Sequence, residues 1–149
     1  MSRKKPVDQM SLKIESRSVN ESFARVAVSA FAAQQDPTVE EISDIKTAVS
    51  EAVTNCIVHA YPASVGEIYI WVGLFDDGLV RIRIRDRGCG IIDVRQAMEP
   101  LFTTKPELER SGLGFAVMES CCDKVKVSSK VGKGTTVTLT FRFEKRVLE

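Results

Sequence analysis

The chain has 149 residues, 44% hydrophobic and 28% charged, a globular balance sized for one domain around a single core. Its net charge of +1 gives no bulk reason to expect a polyanion partner, so direct nucleic-acid binding is not expected. No apolar run approaches the ~18 residues of a membrane span, and Met1 to Gln9 is basic and polar, without the apolar centre of a secretory signal.

Met10 to Ser16 alternates apolar and polar residues through Leu12 and Ile14, which predicts a short strand. Ser18 or Asn20 then caps a helix from about Glu21 to Gln34. Its buried face is expected to hold Phe23, Val26, Ala27, Ala30 and Phe31, with Arg25 beside it reaching solvent. Asp36-Pro37-Thr38 breaks the chain and starts a second helix, which runs to about Ala60 and is closed by Pro62. Glu40 and Glu41 fall in its first turn, where the helix dipole favours negative charge. At ~100° per residue, Ile45, Val49, Ala52, Cys56 and Ala60 form an apolar arc. Glu51 and Asn55, one turn apart, stack at the rim of that arc. Asn is a poor helix former, so the pair is either a solvated edge or a polar rim set there for a ligand.

Glu67 to Phe75 and Leu79 to Arg85 read as a hairpin across Asp76-Asp77-Gly78. Val80, Ile82 and Ile84 alternate with Arg81, Arg83 and Arg85, which predicts one buried face and one charged, solvated face. Asp86-Arg87-Gly88-Cys89-Gly90-Ile91 is a glycine-rich turn at the strand end, and Val94 to Met98 a short helix. Glu99 to Arg110 has no apolar period and reads as a long loop, of the kind that serves as a lid or stays disordered. A last helix opens at Gly112-Leu113-Gly114-Phe115 and runs to about Cys121. Lys124 to Ser129 and Thr135 to Phe143 then pair across Val131-Gly132-Lys133-Gly134, and the charged tail frays. With no repeat or linker, residues 1–149 are expected to form a single α+β domain. It would be a two-layer sandwich, with a mixed, mostly antiparallel sheet and helices on one face.

Glycines at 88, 90, 112 and 114 are positions where a ligand can approach the backbone closely. The second pair also precedes a helix, where free N–H groups favour phosphate. Gly112-Leu113-Gly114 lacks the third small residue of a dinucleotide fingerprint at 117, and Gly132-Lys133-Gly134-Thr135-Thr136 lacks the spacing of a P-loop. Thr103, Thr104, Lys105 and Arg110 in the long loop either close over a polyphosphate or keep the loop soluble. The cysteines, at 56, 89, 121 and 122, include no Cys-x-x-Cys pair, and His59 is the one histidine. A disulfide framework or His-based metal site is therefore not expected, and a reduced cytosolic protein is the simplest reading.

Glu51-x-x-x-Asn55, Asp86-x-Gly88-x-Gly90 and Gly112-Leu113-Gly114 resemble, in that order, the N, G1 and G2 boxes of the GHKL ATPase and kinase superfamily. Asn20 to Arg25, Ser50 to Ala60 and Pro100 to Gly112 resemble the anti-sigma-F family of endospore-forming bacteria more closely, and that likeness spans about Leu12 to Phe143. The resemblance implies a cytoplasmic, dimeric ATP-dependent serine kinase that binds sigma factor F and phosphorylates a serine of its anti-anti-sigma factor. It implies that Asn55 ligates Mg²⁺, that Glu51 is the general base, and that Asp86 accepts the adenine amino group. Gly88, Gly90 and Thr136 would complete the adenine seat. Gly112, Leu113 and Gly114 would cradle phosphates, with Thr104, Lys105 and Arg110 adding lid contacts, and Arg25 would touch partners. Rival implications are a general-stress anti-sigma kinase, or a nucleotide-dependent binding module without transfer. Glu51 speaks against the latter, since a nucleotide sensor needs no base there.

Overall fold

Period-two apolar alternation builds five strands in the computed structural model, which describes residues 5–99 and 114–143. They are β1 (Asp8–Glu15), β2 (Glu67–Leu74), β3 (Leu79–Asp86), β4 (Lys124–Lys130) and β5 (Gly134–Arg142). The sheet order is β1-β2-β3-β5-β4, and every neighbouring pair is antiparallel. The sheet is thus wholly antiparallel rather than mixed. Register aligns Ile70 with Ile84, and Ile84 with Val137. One face therefore gathers Ile68, Val72, Val80, Ile82 and Leu139, all fully buried. Each such side chain contributes about 1.5–3 kcal/mol of burial.

Helices α1 (Val19–Ala32), α2 (Val39–Asn55) and α4 (Gly114–Cys121) cover that face, and α3 (Val94–Ala97) is a single turn. The middle helix, α2, packs against both α1 and α4. It buries Ile45, Ala48, Val49, Ala52 and Val53, close to the arc the sequence predicts. Among the described residues no helix is long and apolar enough to cross a membrane.

The face of α1 is rotated from its expected position. Ala24, Val28 and Ala32 are buried, while Phe23 and Val26 are 53% and 58% exposed. Ala30 is exposed, and Ala27 and Phe31 are half-buried. Apolar residues surround this helix, so the periodicity does not fix its phase. Packing does, because Ala24 and Ala32 allow a closer approach to α2 than Phe23 or Val26 would. Ser18 sits at the N-cap with a helical backbone and no side-chain cap bond. Asn20 instead donates its side-chain N–H to the Glu15 carbonyl at 2.9 Å.

Helix α2 begins with a reciprocal cap. Thr38 Oγ1 accepts from the Glu41 N–H at 3.0 Å, and Glu41 Oε1 accepts from the Thr38 N–H at 2.8 Å. Thr38→Ala is expected to cost about 1 kcal/mol, read as a lower midpoint in urea unfolding; an unchanged midpoint would contradict the cap. The helix does not stay α-helical to Ala60. After Asn55 it widens into a π turn over Cys56–Ala60, a departure that occurs frequently at functional sites.

Candidate functional site

The π turn, the end of β3 and the start of α4 enclose a largely apolar cavity of about 640 Å³. Small-molecule sites run from roughly 300 to 1,000 Å³. Ala52, Asn55, Cys56 and Ala60 form one wall, Asp86, Cys89 and Gly90 a second, and Gly114, Phe115, Thr135 and Val137 a third.

Asp86 is the polar centre of the cavity and is 6% exposed. Its Oδ1 accepts the Gly88 N–H at 2.9 Å and the Thr135 N–H at 3.2 Å. Its Oδ2 accepts the Cys56 S–H at 3.6 Å. Burial raises this carboxyl above its ordinary range, and the Gly88, Cys56 and Thr135 donors partly oppose the rise. A carboxylate offers about four acceptor sites, so Oδ2 retains room for one further donor. Burial, with Asp86 beside it, pushes the Cys56 thiol well up, so it stays a neutral S–H donor.

The glycine turn is fixed by protein contacts on both sides. A Cβ on Gly88 would lie 2.3 Å from the Ala60 carbonyl oxygen, and one on Gly90, at φ +77°, would lie 2.4 Å from that of Lys130. Cys89 N–H donates to the Ala60 carbonyl at 3.2 Å, and Gly132 N–H to the Cys89 carbonyl at 2.8 Å. The space beside Gly88 is therefore taken by the π turn rather than left open for a ligand. Cys89 is exposed, with its thiol donating to the His59 carbonyl at 3.2 Å.

The structure brings Asn55, Asp86, Gly90 and Gly114 to one cavity. Glu51 stands half-buried one turn before Asn55, just outside the cavity wall. Thr136 does not reach it. It points to the opposite face of the sheet, and Thr135 takes the wall position. Alternation carried the signal: Thr135 shares parity with the buried Val137 and Leu139. Cys56 as a partner of Asp86 is the other residue the sequence reading missed. Arg25 is half-buried on α1, 3.9 Å from the Glu21 carboxylate. Glu21 also accepts from the Ser50 hydroxyl, which ties α1 to the residue before Glu51. Thr104, Lys105, Arg110, Gly112 and Leu113 lie outside the described residues.

Residues 14–141 match the family described as the histidine kinase-like ATPase domain. The chain is 54% identical over 132 residues to the anti-sigma F factor of Geobacillus thermodenitrificans, covering 89% of this chain and 90% of the relative. To the anti-sigma F factor of Caldanaerobacter subterraneus it is 56% identical over 133 residues, covering 89% and 92%. Among solved structures, the RsbU and RsbW domains of Rv1364c from Mycobacterium tuberculosis align with a TM-score of 0.67 at 24% identity, over 93% of this chain and 32% of that one. The mycobacterial sensor histidine kinase MprB aligns with a TM-score of 0.56 at 15% identity, over 91% of this chain and 100% of that one. At such identities the structural likeness speaks for the fold alone.

Proposed function

Since the chain belongs to the histidine kinase-like ATPase family, among its anti-sigma F factors, we propose that it is an anti-sigma factor and an ATP-dependent protein serine kinase. It holds sigma factor F inactive and phosphorylates a serine of the anti-anti-sigma factor. The observation that carries this reading is Asp86, a buried carboxylate with spare acceptor capacity in a cavity of nucleotide size.

The residues fit the cofactors. Asp86 Oδ2 suits the adenine amino donor, and Ala52, Ala60 and Val137 offer the base an apolar wall. Among the described residues no cluster of three or more His, Cys, Asp or Glu forms a metal cage. Asn55 offers the kind of single hard oxygen that Mg²⁺ takes alongside waters and phosphate oxygens. ATP with Mg²⁺ supplies the transferable phosphoryl group and neutralises its charge. Glu51 takes the proton from the incoming serine hydroxyl. Gly112, Leu113 and Gly114 would hold phosphates, with Thr104, Lys105 and Arg110 as further phosphate contacts. Arg25 is the proposed partner contact, and the acting form is a cytoplasmic homodimer.

The sigma-binding half is tested by titrating the chain into sigma-F-dependent transcription with ATP present. Repression that saturates with added chain supports the proposal, and undiminished transcription overturns it. At the adenine seat, Cys56→Ala removes a buried donor and is expected to weaken ATP binding about fivefold, while Cys56→Ser retains the donor. Calorimetry giving one dissociation constant for all three proteins would remove Cys56 from the seat.

A further inference from the structure

The sheet face turned away from the helices concentrates positive charge that the whole-chain value of +1 conceals. Alternation sends Arg81, Arg83 and Arg85 of β3 outward, with Arg87 just beyond the strand. The edge strand β4 adds Lys124, Lys126 and Lys130. Between these cation rows β5 sets Thr136, Thr138 and Thr140, so that Arg83 pairs with Thr138 and Thr138 with Lys126. The one carboxylate in these three strands, Asp86, points the other way, into the helix-side cavity.

The arginines lie on aromatic rings. The Arg83 guanidinium is 4.5 Å from the Trp71 centroid, and those of Arg85 and Arg87 are 5.1 and 4.9 Å from that of Tyr69. Trp71 lies flat along the sheet because Gly73 leaves it room: a Cβ there would be 2.4 Å from the indole. Gln9 Oε1 accepts the indole N–H at 2.9 Å. Among the described residues Arg81, Arg83 and Arg85 form no ion pair. Beside them a shallow concavity of about 520 Å³ is bordered by Arg85, Arg87, Lys130, Lys133 and Thr136, with Asp86 the one acidic residue on its border.

We propose that this face binds single-stranded nucleic acid, with phosphates on the Arg, Lys and Thr rows and bases stacked on the guanidinium planes that cover Tyr69 and Trp71. Arginines two residues apart on β3 are about 7 Å from one another, a repulsive row that a polyanion neutralises with release of counterions. Guanidinium forks and hydroxyls are the groups that contact phosphates. Ring and guanidinium planes are stacking platforms for unpaired bases. A broad sheet face does not enter a duplex groove, so paired base edges are out of its reach. An acidic polypeptide would use the charges but leave the stacking planes idle. The face lies across the sheet from the nucleotide cavity and does not depend on it.

The test is fluorescence anisotropy of a labelled oligothymidylate with the full chain. Saturable binding is expected at low salt, weakening roughly 50-fold between about 50 and 200 mM salt if four phosphates are engaged. The triple variant Arg81→Gln, Arg83→Gln, Arg85→Gln is expected to lose at least about tenfold in affinity. Its thermal midpoint checks that it folds. Lys124→Gln, Lys126→Gln, Lys130→Gln, on the exposed edge, gives the same readout should the first variant not fold. The proposal is overturned by no binding at low salt, by binding that a folded variant leaves unchanged, or by equal affinity for duplex DNA or for a polyglutamate of equal charge.

Discussion

Glu51→Gln is expected to keep ATP binding and to lose phosphoryl transfer by at least about 10²-fold, the range of a missing general base. The exchange preserves side-chain size and removes the basic carboxylate. Glu51 sits one turn before Asn55, half-buried and outside the cavity wall. Its loss therefore leaves the cavity around Asp86 and the Asn55 amide in place. Turnover should fall with little change in the KM for ATP, the pattern of an interaction made only in the transition state. A single-turnover assay with radiolabelled ATP reads the rate directly. Transfer at the wild-type rate would remove Glu51 from the chemistry.

Asp86→Asn is expected to weaken ATP binding by about 10- to 100-fold, the worth of a hydrogen bond to a charged acceptor. Asn retains one carbonyl oxygen for the Gly88 and Thr135 N–H groups, so the turn stays anchored. Its second position becomes an N–H₂ group, which opposes both the Cys56 thiol and an incoming amino donor. Stability should move the other way. Burial raises the Asp86 pKa above its ordinary value, so its stabilising form is the protonated one. That contribution is present below the unfolded-state pKa and lost as pH rises through the folded one. At neutral pH the variant without ligand should therefore unfold at the wild-type temperature or above it. The same raised pKa predicts that wild-type ATP affinity falls on acidification sooner than an ordinary aspartate would titrate. That acid limb should vanish in the variant. An unchanged dissociation constant by calorimetry would refute the adenine contact.

Both residues stand in segments where the chain's pattern was easy to read. The alternation of Val80, Ile82 and Ile84 with three arginines set β3, its buried face and hence the position of Asp86 at the strand end. The Thr38 start of α2 was legible in its breaker and acidic first turn, and the apolar arc beside Glu51 and Asn55 survived into the structure. What escaped the pattern depends on neighbours distant in sequence. The phase of α1 was ambiguous because Phe23 and Val26 are as apolar as Ala24 and Val28, and contact with α2 and the sheet decided which of them are buried. The π turn after Asn55 is stabilised by Cys89 docking on Ala60, a contact no local spacing announces. Thr135 was in principle readable, since one step of strand parity separates it from Thr136. The link between Cys56 and Asp86 joins residues thirty positions apart and needed the fold.

The proposed kinase activity is tested most directly by incubating the chain with radiolabelled ATP, Mg²⁺ and the anti-anti-sigma protein, then mapping the label by mass spectrometry. Phosphate is expected on one serine of the anti-anti-sigma protein, with none transferred by Glu51→Gln on the same timescale. An unlabelled acceptor under conditions where calorimetry shows ATP bound, or label retained on His59 of this chain, would contradict it.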